Sequence, residues 1–405
     1  MPKIIILVEE YLNSKESDTE SVDVFADFRS EQDYLTFSEY IEINTNNKAS
    51  AFVIKGIKHS KRIAIGKYYT LNIDSIKKYY RLQNIEDSYL YGFELHLSSK
   101  LPIPFEELFD KDQMDESDYY GGTALSAIRN TIDHPIELTN NIVVTVNNVG
   151  QGNWNEVICD GETRLVYDMG APLKASKKEV KDIVNRIVPR YYNLSIKPTL
   201  LLSHWDKDHY HALLALGDVD FSLFDKYMFP GNPPTATAQR IYKKITINNG
   251  NAIIVKPGHR NTGMPSLPET IWEEQHYSVF IGQEHSDRNL SGIQVFLRSK
   301  HENMLLCGDC GWYQVIHILA KKSKTASTGE KCNIVVPHHG GGKDKTYYGF
   351  TIPNNMDGGI AIVSVDKKNN SYGHPSKSLM DYLDTHFNEI FRTDIEQTDI
   401  SVELA

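Results

Sequence analysis

The densest chemistry in the chain lies in the run LLSHWDKDHYHALLAL, Leu201–Leu216, which places His204, Asp206, Asp208 and His209 in one H-x-D-x-D-H turn. Imidazole nitrogens and carboxylate oxygens packed this closely suit borderline-hard divalent cations such as Zn²⁺ or Mn²⁺. Burying such a group with only Lys207 as countercharge is costly unless a cation joins it. One short loop of this kind can offer two ligands to each of two adjacent ions. Three further segments carry polar residues of the same class. MLLCGDCGW supplies Asp309, NIVVPHHGGG supplies His338 and His339 ahead of a glycine run that permits close approach, and AIVSVDKKNNSYGHPS supplies His374. Lys343 and Lys345 follow the glycines, and Lys367 and Lys368 follow the last of these strands. The four lysines read either as solvated loop charge or as a positive rim that would receive a phosphodiester substrate.

These residues need a scaffold that brings strand ends together. Ile142–Asn147, Glu156–Cys159, Arg164–Tyr167 and Thr199–Leu202 have the apolar character of strands, and Lys177–Val188 has helical periodicity. A helix is expected at Thr237–Ile245, then strands near Ile293–Leu297, Asn303–Leu306, Asn333–Val336 and Ile360–Val365. Trp312–Ala320 and Ser376–Phe387 read as helices. The candidate residues repeatedly sit just past the C-terminal end of a strand, where loops of α/β layers converge. Upstream, Ile4–Val8, Glu39–Ile43, Ala51–Ile57, Arg62–Thr70 and Tyr89–Leu97 are expected to be strands, followed by an acidic stretch, Phe105–Tyr120, and a short helix, Ala124–Thr131. The change of pattern places a domain boundary near residue 140, giving a β-rich (α+β) domain over 1–140 and a second domain over 141–405.

Composition narrows the class. The chain has 405 residues, 40% hydrophobic and 24% charged, as in ordinary globular proteins. No apolar run approaches the roughly 18 residues of a membrane span, and the opening MPKIIILVEEYL is too short in its apolar part for a secretion signal, so a cytoplasmic protein is expected. Cys159, Cys307, Cys310 and Cys332 are too few for a disulfide framework. Cys307 and Cys310 form a C-x-x-C with no second pair, which reads as buried thiols beside a strand end. The net charge of −10 is uneven: residues 1–141 hold 15 basic and 24 acidic side chains, the remainder 28 and 29. That balance gives no general electrostatic grip on duplex DNA. Basic stretches at Lys174–Arg190 and Lys321–Lys331 read as solvated faces or as local backbone-tracking surfaces. Tyr191, Tyr192 and Trp205 could stack on bases or pack in the core.

The ordered motifs VGQGN, YDMG, SHWDKDH, CGD, VPHHGG and SYGHPS resemble the metallo-β-lactamase fold, and more narrowly the hydrolase module attached to ComEC/Rec2 competence channels. The resemblance covers residues 140–405 and implies an αββα sandwich. It matches the family's strand-terminal D-x-G at Asp168 and Gly170, and FRTDIEQTDISVEL resembles its C-terminal hairpin. It implies that His204 and Asp206 bind a first metal, Asp208 and His209 a second, that Asp309 bridges both, and that His339 completes the second site. His338 would then lie behind the ligands or face the substrate. The chain departs from the resemblance in three ways. Asn153 stands where Asp is usual, Asp206 replaces the second His of the commoner H-x-H-x-D-H motif, and SDRNLSGIQVFL has Asn289 and Ser291 but no His at the family's third ligand position. His285, four residues before Asn289, is a possible substitute.

The function expected from these readings is a hydrolase dependent on two divalent ions, Zn²⁺ or Mn²⁺. A water shared by two cations is acidified at neutral pH. Asp208 or Asp309 would orient it, and His374 or His338 would donate to the charge that develops. A phosphodiesterase or nuclease acting on single-stranded nucleic acid or a small nucleotide is expected. Hydrolysis of another ester, thioester or lactam is the alternative enzyme reading. A metal-stabilised scaffold whose N-terminal domain binds a protein partner is the alternative of a different class.

Overall fold

The computed structural model describes residues 3–11, 21–42, 51–58, 63–83, 92–97, 102–110, 136, 138–139, 141–259, 265–285, 287–324, 330–341, 352–353, 358–366 and 373–404. They divide into two compact units. The first comprises residues 1–119 with Lys174–Val180 and Pro233–Lys243, and the second comprises the rest.

In the first unit, β1 (Ile4–Tyr11), β2 (Ser21–Phe28), β3 (Ala51–Lys58), β4 (Lys67–Leu71), β5 (Tyr80–Gln83), β6 (Gly92–Leu97) and β7 (Phe109–Asp110) form one sheet in the order β5-β6-β3-β2-β1-β4-β7. Its core is aromatic, with Phe28 stacked on Phe52 at 4.8 Å and Phe37 beside both. The expected strand Glu39–Ile43 is corrected: through Ile41 these residues end a helix, Glu31–Ile41. Ser30 caps it by accepting from the Asp33 amide, 3.2 Å. Tyr34, Phe37 and Ile41 recur at helical spacing against the core, and that three-to-four period outweighs the two-residue alternation of Ile41 and Ile43. The expected helix Ala124–Thr131 lies outside the described residues.

The second unit begins with β8 (Ile142–Val146), β9 (Asn155–Cys159), β10 (Glu162–Tyr167), β11 (Thr199–Leu201), β12 (Lys226–Pro230) and β13 (Ala252–Val255). It continues with β14 (Glu269–Glu273), β15 (Tyr277–Ile281), β16 (Ile293–Arg298), β17 (Glu302–Leu306), β18 (Lys331–Val335), β19 (Ile360–Val363), β20 (Glu389–Arg392) and β21 (Ile400–Leu404). One sheet runs β13-β12-β11-β10-β9-β8-β21 and the other runs β14 to β20 in chain order. Their inner faces share one core, in which Val144, Tyr167, Leu201 and Met228 meet Val279, Val295, Leu306, Val335 and Ile362. The outer face of the β14–β20 sheet is covered by helices Trp312–Ser323 and Lys377–His386 through Val315, Ile318, Leu319, Leu379 and Leu383. On the other sheet, Lys177–Ile187 and Ala236–Asn248 are crossovers between the parallel pairs β10/β11 and β12/β13. The parts of these helices that belong to the second unit, 181–187 and 244–248, cross over a parallel sheet whose inner face is already taken, which leaves them its outer face. The result is an αββα sandwich, the architecture that the resemblance implied, with a β-rich α+β unit formed mainly by the chain that precedes it.

One expectation fails at the C-terminus. FRTDIEQTDISVEL is not a hairpin: β20 pairs in parallel with β19 and β21 pairs antiparallel with β8, in different sheets. The helical turn Thr393–Glu396 and Gln397, at φ 57°, carry the chain from one sheet to the other.

Candidate metal centre

The centre is built on the C-terminal ends of five strands in two sheets. Asp168 follows β10 and the H-x-D-x-D-H turn follows β11, while Asp309, His338/His339 and Ser364 follow β17, β18 and β19. Cross-sheet ties fix these loops: the Tyr167 hydroxyl donates to the Ile293 carbonyl (2.7 Å), the Ile293 amide to the Ser203 carbonyl (2.8 Å) and the Ser364 hydroxyl to the Gly152 carbonyl (2.8 Å). The His338 amide donates to the Gly308 carbonyl at 3.1 Å, joining the two loops of the second sheet. Gly170 is required by close approach, since a Cβ there would lie 1.8 Å from the Asp208 carbonyl oxygen.

Two groups of donor atoms result, each with its atoms within 4.8 Å of one another: His204, His209 and Asp309, and Asp208, His209 and His339. The Nε2 of His209 is 3.1 Å from Asp309 Oδ1 and 4.0 Å from Asp208 Oδ1. His339 Nε2 is 3.3 Å from Asp208 Oδ2, and His204 Nε2 is 3.9 Å from Asp309 Oδ2. All three histidines are buried, yet none of these Nε2 atoms has a hydrogen-bond partner among the described residues. Their other ring nitrogens are engaged: His209 Nδ1 with Asp168 Oδ2 (2.8 Å), His339 Nδ1 with the Ser364 carbonyl (2.8 Å), and His204 Nδ1 with the Ser203 hydroxyl (3.0 Å). A protonated Nδ1 held in this way leaves Nε2 with a lone pair for a cation. The arrangement therefore fits a divalent ion, and the buried cluster could hold one.

The electrostatics agree with that donor set. Burial alone would depress His209, but Asp309, Asp168 and Asp208 outweigh it and raise its pKa well above the usual imidazole range. Burial opposes ionisation of Asp309, yet His209 and His338 hold its carboxyl well below the ordinary value. Asp206 is likewise lowered against burial, chiefly by Arg288 and then His204. Asp206 and Asp309 are thus held charged, and the raised His209 carries a proton that a cation would displace.

The remaining residues singled out in the sequence fall as follows. Asp206 belongs to neither donor group: its Oδ2 is 3.4 Å from His204 Nε2 and its Oδ1 forms a 2.8 Å ion pair with Arg288. His338 is 40% exposed in its side chain, with Nδ1 2.9 Å from Asp309 Oδ2 and 3.3 Å from Asn289 Nδ2. Burial would lower it, but Asp309 raises it to about 9. His374 stands edge-on to His338 with ring centres 5.5 Å apart. Lys343, Lys345, Lys367 and Lys368 lie outside the described residues. Trp205 and Tyr191 are core residues, Trp205 stacked on Phe229 at 4.9 Å and Tyr191 accepting from Trp154 Nε1 at 3.1 Å, while Tyr192 is exposed. His285 accepts the Asp287 amide through Nδ1 and is in neither donor group. All four cysteines are buried free thiols.

Sequence reasoning did not assign roles to Asp168, Ser364 and Arg288. Asp168 is a hub: its carboxylate accepts from the Ser203 amide (2.6 Å), the Ser203 hydroxyl (2.8 Å) and Asn153 Nδ2 (2.8 Å) besides meeting His209. A signal existed for Asp168, an acid at the end of an apolar strand. Ser364 acts through its backbone carbonyl, which no side-chain pattern announces.

No protein-family model and no curated protein matches the chain. Among solved structures it is similar to Tm1679, a metal-dependent hydrolase of the beta-lactamase superfamily, at 10% identity and a TM-score of 0.36 over 65% of this chain and 99% of that one. It is similar to the metallo-beta-lactamase fold protein YhfI from Bacillus subtilis at 11% identity and TM-score 0.35, over 65% of this chain and 100% of that one. Human tRNase Z, short form, gives 11% identity and TM-score 0.35, over 64% and 98%. Likeness of this degree assigns neither substrate nor metal. Among the described residues, no helix is long and apolar enough to cross a membrane.

Proposed function

We propose that this chain is a hydrolase dependent on two divalent ions, Zn²⁺ or Mn²⁺, and that it cuts phosphodiesters in single-stranded nucleic acid or a small nucleotide. The observation that carries the reading is the convergence on Asp208 and Asp309 of three buried histidine Nε2 atoms that have no hydrogen-bond partner among the described residues. His209, Asp208 and His339 would hold one ion, and His204 with Asp309 the other, Asp309 reaching toward both. Bound divalent ions supply Lewis acidity and bring water into the range where it ionises near neutral pH.

The chain's own residues supply the rest. Asp208 and Asp309 present carboxylate oxygens that accept a proton from an attacking water and fix its direction. His338, the exposed member, is held through Nδ1 by Asp309 and carries a proton at neutral pH, so it can donate to a leaving oxygen. His374 beside it adds a second donor at the same edge. Lys343, Lys345, Lys367 and Lys368 would complete a positive rim for an anionic substrate. The N-terminal domain would carry a protein partner or restrict access, and the chain would work in the cytoplasm.

The test compares wild type with the Asp208→Ala/His209→Ala variant on labelled single-stranded DNA and RNA and on bis-p-nitrophenyl phosphate, with Mn²⁺ or Zn²⁺. Metal-dependent cleavage that disappears in the variant supports the reading. Silence on every diester by metal-loaded wild type overturns it in favour of a scaffold or a different ester.

A further inference from the structure

We propose that Arg288 is a fixed positive charge built into the His204 side of the centre, which weakens the cation site there and leaves the tight ion with Asp208, His209 and His339. The inference rests on the metal-centre reading above and concerns which side of it binds first.

Arg288 is buried, with one guanidinium nitrogen 2.8 Å from Asp206 Oδ1 and another 3.3 Å from the Trp205 carbonyl. A guanidinium stays charged at every pH a folded protein meets, and a buried one is poorly screened by salt. Asp206 is thus already neutralised through one oxygen, while its other oxygen lies 3.4 Å from His204 Nε2. A divalent ion entering beside His204 would meet a positive charge across a single carboxylate. The next residue on the same turn, Asn289, brings a neutral amide to 3.3 Å from His338 Nδ1 and so adds no negative charge. The ion pairs of Asp208, by contrast, are with His209 and His339, the other members of its own donor group. The two halves of the centre therefore differ in kind. One has its carboxylate paired with a guanidinium that no cation displaces, the other has its carboxylate paired with imidazoles that are themselves donors.

Mn²⁺ alone is the probe, followed by equilibrium dialysis and by electron paramagnetic resonance of the bound ion. Wild type should take up one ion tightly and a second about tenfold or more weakly. Arg288→Gln should tighten the second ion and leave the first unchanged, whereas Arg288→Lys, which keeps the charge, should retain the wild-type pattern. Two ions of equal affinity in wild type overturn the proposal without recourse to any variant. A second ion that weakens in Arg288→Gln also overturns it, making the arginine a positioning residue for Asp206 as a ligand. Wild type that binds no Mn²⁺ at millimolar concentration removes the metal-centre reading itself.

Discussion

His209 Nδ1 lies 2.8 Å from Asp168 Oδ2, and both side chains are fully buried. The same carboxylate holds Ser203 and Asn153, so one acid orients the imidazole and the turn that carries it. Asp168→Asn should lower divalent-ion affinity by about 10–100-fold, because the ring loses its orienting anion. Calorimetric titration of both proteins measures this, and unchanged affinity would exclude the positioning role.

Metal uptake should expel protons. The acids around His209 outweigh its burial and hold a proton on it at neutral pH, and that proton must leave before Nε2 can bind a cation. Affinity should therefore rise with pH and fall on acidification. Titration at one pH in two buffers of different ionisation enthalpy reads the proton release directly.

Trp205 belongs to the core. Trp205→Ala should cost about 3–5 kcal/mol in denaturant unfolding, whereas Tyr192→Ala, at an exposed position, should stay within about 0.5 kcal/mol. A Trp205→Ala variant with wild-type stability and weakened nucleic-acid binding would reverse this assignment.

Gly170→Ala should be severely destabilising, by about 2 kcal/mol or more, since the new Cβ would meet the Asp208 carbonyl at 1.8 Å and only backbone movement relieves it. Thermal unfolding of the metal-free variant checks the effect without reference to activity.

Asp399 ties the approach to β21 to Arg186 (2.8 Å), Arg190 (2.9 Å) and the Asn148 amide (2.9 Å). Burial would raise its carboxyl, but Arg190 and then Arg186 outweigh that and lower it. A depressed native pKa contributes stability that is present above the unfolded value, about 3.9, and is lost as pH falls through the native one. Asp399→Asn should thus unfold at lower denaturant concentration than wild type at pH 7, with the gap closing as the pH falls below the ordinary carboxylate range. A gap that persists in acid would show that the hydrogen bonds, and not the charge, are responsible.

Much of the second unit can be read from local pattern. Apolar runs ending in His, Asp or His-His announce β11, β17 and β18, and their flanking helices have clear periodicity. The first unit was less legible. Helix Glu31–Ile41 hides behind a strand-like ending, and its stability comes from packing Tyr34 and Phe37 on distant strands. The supposed C-terminal hairpin failed for a related reason, because the partner of β21 is β8, over 250 residues earlier in the chain.

By itself the sequence determined the donor types and their place after strands: His204, Asp208, His209, Asp309 and His339 are written in short motifs whose spacing needs no distant partner. Only the tertiary structure decided which donors meet. His209 reaches Asp309 because two sheets pack face to face through one core, and a distance between sheets depends on that packing and on no local motif. The same packing set Arg288 against Asp206, a pairing across 82 positions of chain. Burial then fixed the charge states, since a carboxylate removed from water takes its value from the neighbours that folding supplies.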